Sequence, residues 1–109
     1  RHRALKGQVA MTELISLGAD RFSGLDGSVP LPNNVYQLYE QKYGATVTRA
    51  EEKLRAVRAS SEDAQALGCE EGGPLLQIER RAFGLSGAVI EWRRTRCLTE
   101  RFHYVSELH

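Results

Sequence analysis

The residues in this chain best suited to chemistry are arginines and glutamates placed on either side of two glycine-ended turns. The first set is Arg1, Arg3, Gly7 and Glu13, and the second is Arg80, Arg81, Gly87 and Glu91. In each, an alternating segment runs into the turn and a valine, Val9 or Val89, follows the glycine by two residues, which is the pattern of a β-hairpin. An arginine presents a planar fork of donors that matches a carboxylate or phosphate, and a carboxylate orients hydroxyls or amines. Gathered from both hairpins, these groups would form a polar pocket for a small anion. They would serve equally as cross-strand ion pairs on a solvated face. The pattern leaves both readings open. Two hairpins of one design, one near each end, suggest a pseudo-symmetric sheet.

Other chemistries find less support. The 109 residues are enough for one domain, 1–109, with its own core. With 15 Lys and Arg against 14 Asp and Glu, the formal charge is +1, so no net field holds a nucleic acid. The cationic pairs Arg80-Arg81 and Arg93-Arg94 stand in strand-like segments. Cys69 and Cys97 do not combine with His2, His103 or His109 at metal-ligand spacing, so neither a metal nor a cofactor is expected. Neither cysteine has a histidine beside it and no serine stands in a glycine-flanked elbow, so no catalytic residue is assigned. Both cysteines read as reduced thiols of a cytoplasmic protein. No apolar run approaches the roughly 18 residues that span a bilayer, and no signal-peptide pattern opens the chain. A soluble domain with no membrane partner is therefore expected. A start on Arg1, inside a strand, reads as a piece of a longer protein.

The elements that would position these groups follow from periodicity. The first hairpin continues as a strand through Leu17, and residues 18–25 form a helical turn or loop anchored by Phe22 and Leu25. A linker with Gly27, Pro30 and Pro32 leads to Asn33-Asn34, which cap a helix with Val35, Leu38, Tyr39 and Tyr43 on its apolar face and Gly44 at its end. Thr46 to Ala59 alternates as a half-exposed strand, although Arg49 to Ala56 also has helical propensity. Ser60 or Ser61 caps a short helix, with Asp63 placed as in a capping box, Ala64 and Leu67 buried and Gly68 as its stop. From Leu75 to Phe83 the alternation puts Leu76, Ile78, Arg80 and Ala82 on one face. Arg80 ends a core-facing row and needs a partner, for which Glu91 across the hairpin is the candidate. Arg81 lies with polar neighbours. Ala88 to Leu108 holds two more strands, separated near Leu98-Thr99. The result is an α+β domain of about six strands, mainly antiparallel, with two or three helices.

The order of motifs from Val35 to Leu108 resembles the UTRA domain, the effector-binding half of GntR-superfamily transcription regulators of the HutC subfamily. The matching pieces are Val35-Tyr36-Gln37-Leu38-Tyr39 running into Tyr43-Gly44, Ala50 and Glu52, the Ala56 to Ala59 strand, and Glu62-Asp63-Ala64 to Leu67. They continue with Gly73-Pro74-Leu75-Leu76, Ile78-Glu79-Arg80 and Gly87 to Trp92. The close Thr99-Glu100-Arg101-Phe102-His103-Tyr104 is similar to the family's Gly-Asp-Arg-Tyr-x-Phe. Arg1 to Leu25 then resembles the family's middle hairpin. The resemblance implies a chorismate-lyase-like fold with an internal pseudo-repeat, a first helix and strand ahead of Arg1, and a homodimer. It further implies a small-molecule effector, with operator DNA contacted through a winged helix-turn-helix that is not in this chain.

Residue by residue, the resemblance implies Arg1 and Arg3 for an anionic group of the effector and Glu13 for hydroxyls or an amine. It implies Asn34 and Tyr36 at the start of the helix, and Arg80, Glu91, Arg101 and Tyr104 from the second half. Asn34 replaces a frequent Ser and keeps a polar group, Phe102 replaces a frequent Tyr and removes a hydroxyl, and Val9 and Val89 replace the Pro after each turn glycine. The function implied is ligand sensing without catalysis. Two alternatives are a chorismate-lyase-like enzyme, since such a lyase needs only Arg and Glu, and a dimerisation module with a vestigial pocket.

Overall fold

Two paired strands come first among the described elements, where alternation in the first hairpin expects them. The computed structural model describes residues 2–5, 8–17 and 35–108. Strand β1 (His2–Leu5) pairs antiparallel with β2 (Gln8–Leu17), aligning His2 with Thr12, Arg3 with Met11, Ala4 with Val9 and Leu5 with Gln8. The register shifts between Arg3 and Ala4, leaving Ala10 without an opposite residue. The turn expected at Lys6 and Gly7 falls outside the described residues, as do the segment 18–25, the linker and Asn34.

Helix α1 (Val35–Tyr43) is followed by β3 (Arg49–Arg58), α2 (Ser61–Leu67), β4 (Pro74–Phe83) and β5 (Val89–Cys97). The five strands form one sheet in the order β1-β2-β5-β4-β3. Thr48 N donates to Phe83 O at one end of the β3–β4 pair and Ala59 N to Gly73 O at the other, so these strands run antiparallel. The mainly antiparallel α+β expectation is borne out. Among the described residues there are five strands and two helices, against about six and two or three expected.

The cap residues behave as their chemistry dictates. Gly44 takes a left-handed φ of 63° after α1, and Ala45 N then donates to Tyr39 O at 3.0 Å. Ser60 is the N-cap of α2, its hydroxyl accepting from Asp63 N at 3.1 Å, and Gly68 closes the helix at φ 68°. The capping box is only half made, because the Asp63 carboxylate turns instead to Arg96. Gly87, at φ 82°, donates its N–H to Gly84 O and closes the β4–β5 hairpin. The long run to Ala59 is a strand and not a helix. It is the last in the sheet, and only Glu52 and Val57 of its ten residues escape full exposure, which is how charged edge strands avoid further pairing.

One expectation fails. The second strand foreseen within 99–108 is absent, because after β5 the chain turns, with Arg101 N and Phe102 N both donating to Leu98 O. Phe102 folds back against Met11, Ile78 and Cys97, and residues 103–108 are exposed with no ladder partner among the described residues.

The chain divides into two compact units. One draws its described residues from Arg1–Leu14, Lys53–Glu79 and Arg93–His109, the other from Ile15–Glu52 and Arg80–Trp92. In the first, Ala64 and Leu67 of α2 pack on Ala59, Leu75 and Leu98, while Met11, Ile78 and Cys97 form a second cluster. In the other, Tyr39, Ala45 and Ile90 make the core, with Leu17, Tyr36, Tyr43 and Val47 around it.

Candidate functional site

In the unit built from Ile15–Glu52 and Arg80–Trp92, α1 supplies two phenols and the strands supply charge. Tyr39 is fully buried and donates its hydroxyl to Glu91 Oε2 at 2.5 Å, with Glu91 itself buried. Arg80, on β4, reaches the neighbouring β3 and takes Glu52, its Nε and Nη2 standing 2.8 and 2.7 Å from one carboxylate oxygen. Its Nη1 donates to the Tyr36 hydroxyl at 3.1 Å. The expected Arg80–Glu91 pair is therefore not the one formed: β4 has a neighbour on each side, Glu52 reaches Arg80 from β3, and the Tyr39 phenol holds Glu91. Burial opposes the Arg80 cation, but the hydrogen bonds with Tyr36 and Glu52 outweigh it and push the guanidinium pKa up. Arg80 is thus a fixed positive charge. Arg81, on the solvent side as expected, pairs with Glu51 at 2.6 Å, and Glu51 also accepts from Arg49 at 3.1 Å. Arg81 first and Arg49 second hold the Glu51 carboxyl below the usual carboxylate range.

The other unit has an open cavity of about 280 Å³ between β2, the start of α2 and β5. Its lining includes Glu13, the acids Glu62 and Asp63, and the cations Arg94 and Arg96, which alternation on β5 places on one face, with Arg93 on the other. Glu13 is buried, with Arg93 Nη1 3.9 Å from its carboxylate. Asp63, also buried, receives Arg96 Nη1 at 2.9 Å and the Thr12 hydroxyl at 3.4 Å, while Arg96 Nε donates to Gln77 Oε1 at 3.0 Å. The Arg94 side chain forms no hydrogen bond or ion pair with another described residue. This arrangement was missed by sequence reasoning apart from Glu13. The alternation of Arg94 with Arg96 and the position of Asp63 two residues into α2 were the available signals.

The remaining sequence candidates fall as follows. Arg1 and Asn34 lie outside the described residues, and Arg3 stands in β1 opposite Met11. Arg101 Nη1 donates to Leu67 O at 2.8 Å, tying the turn after β5 to the C-terminal carbonyls of α2. Tyr104 is exposed. Cys69 and Cys97 are free thiols. Among the described residues no three His, Cys, Asp or Glu side chains come together as a metal site, and no helix is long and apolar enough to cross a membrane.

Residues 1–103 match the UTRA domain. The chain belongs to the UTRA family. Among solved structures, this UTRA chain is similar to one described as the ligand-binding domain of a GntR-family transcriptional regulator from Bordetella bronchiseptica. The two share 34% identity with a TM-score of 0.89, over 99% of this chain and 69% of that one. A GntR-family regulator from Enterococcus faecalis has the same fold at 23% identity and a TM-score of 0.86, over 98% of this chain and 76% of that one. PhnF from Mycobacterium smegmatis is similar at 21% identity and a TM-score of 0.86, over 95% of the UTRA chain and 46% of PhnF. The UTRA resemblance drawn from motif order is thereby borne out, and the Bordetella and Enterococcus neighbours are described as GntR-family regulators.

Proposed function

We propose that this UTRA chain is the effector-sensing and dimerisation domain of a HutC-type GntR regulator that works in the cytoplasm and performs no catalysis. The observation that carries this reading is the 34% identity, over 99% of the chain, to a structure described as a ligand-binding domain. A chorismate-lyase-like fold with an internal pseudo-repeat belongs to the same proposal, as does an operator-binding winged helix-turn-helix elsewhere in the full protein. The effector is a small, anionic metabolite. The residues proposed to take part are those the family resemblance implies: Arg1, Arg3, Glu13, Asn34, Tyr36, Arg80, Glu91, Arg101 and Tyr104. Within the unit of Arg80, the fixed guanidinium beside the Tyr36 hydroxyl supports an anion-facing role. The mechanism is population shift: an effector that binds one arrangement of the dimer better moves the operator equilibrium by that difference in affinity.

A thermal-shift screen against phosphorylated sugars, carboxylates and phosphonates tests the reading. A ligand at about 100 times its Kd stabilises the folded state by roughly 2.7 kcal/mol, a visible shift. One responding class supports the sensor. A dimeric, folded protein that responds to none, or that releases 4-hydroxybenzoate from chorismate, contradicts it.

A further inference from the structure

The cavity between β2, the start of α2 and β5 holds charges that do not all satisfy one another. Asp63 and Arg96 face each other at 2.9 Å, and Arg96 is further engaged by Gln77. Two lining groups remain, the half-buried guanidinium of Arg94 on β5 and the exposed carboxylate of Glu62 in the first turn of α2. Neither is hydrogen-bonded or ion-paired to another described residue. Phosphate or sulfate would meet Arg94 but also the carboxylates of Glu62 and Asp63, and like charges at close range oppose binding. A plain amine would satisfy Glu62 and leave Arg94 uncompensated. A molecule carrying both charges suits both groups. The volume, about 280 Å³, is at the lower bound of small-molecule sites and fits a ligand of single-amino-acid size. Leu14 and Ala66 give it a short apolar wall.

We propose that this cavity binds a small zwitterion of the α-amino acid class, its carboxylate on the Arg94 guanidinium and its ammonium group on Glu62. The site lies within one unit and goes beyond the sensor reading, since binding to the isolated chain does not require a DNA-binding domain. Isothermal titration of the chain with each common α-amino acid at millimolar concentration tests it, with acetate and methylammonium as single-charge controls. The expected result is saturable binding of at least one amino acid and of neither control. Arg94→Gln and Glu62→Gln should each weaken that binding about tenfold or more, with melting temperatures unchanged. Should Arg94→Gln fail to fold, Glu62→Gln, at an exposed helix position, carries the same test alone. Absence of binding by every amino acid overturns the proposal, and so does acetate binding equally well. An amino acid held equally by wild type and both variants overturns it too while leaving the sensor reading standing, because that ligand then sits elsewhere.

Discussion

Arg80 and Arg81 are adjacent in sequence and differ in almost everything that decides energetics. Arg80 holds Glu52 and Tyr36 in a partly shielded setting, whereas Arg81 and Glu51 sit in solvent, where an ion pair adds little. Arg80→Ala should cost about 1.5–3 kcal/mol, the range for hydrogen bonds to a charged group. Arg81→Ala should barely move the melting temperature. Equal melting temperatures for the two variants would show that the facing of β4 is wrong. The Arg81–Glu51 pair also has a pH signature. The folded Glu51 pKa is lowered, so its contribution is present above the ordinary carboxylate range and is lost as pH falls through the lowered value. A double-mutant cycle on the two residues should give a small coupling near neutral pH that declines as pH falls through the lowered value. Tyr39→Phe removes a buried donor to Glu91 and should destabilise by about 1.5–3 kcal/mol in urea unfolding. The facing of Arg80 was legible because alternation on a strand is a local property. Its partner was not, because β4 lies between two strands and only the sheet order says that Glu52 and not Glu91 reaches it.

Elements were legible wherever a cap or turn residue enforced them. Ser60, Gly68, Gly44 and Gly87 each stand where the backbone needs a side-chain acceptor or a left-handed φ. Ser60→Ala should cost about 1 kcal/mol through the lost bond to Asp63 N, and Gly68→Ala about as much through its positive φ. Urea midpoints of the two variants check both, and wild-type values would mean that α2 does not depend on its caps. The C-terminal strand misled for a physical reason. Alternation from Phe102 to Leu108 marks a segment able to pair, yet pairing needs an open neighbour, and after β5 the chain turns away at Leu98. Of the cavity in the first unit, Asp63 was visible only as a capping residue, since its contact with Arg96 spans 33 positions.

At the scale of the whole molecule, the account rests on family membership over residues 1–103 and on a polar interior whose charges are mostly committed to one another. Under the proposed sensor function, the domain would signal by a difference in effector affinity between two states, and that difference would appear reciprocally at the DNA. The most direct measurement is the operator affinity of the full-length regulator, read by fluorescence anisotropy on the DNA upstream of its own gene, with and without the effector that raises the melting temperature of this domain. A sensor domain should give a coupling of about 1–3 kcal/mol, a 5- to 150-fold change in operator Kd. Saturating effector that leaves operator affinity unchanged would contradict the sensor reading.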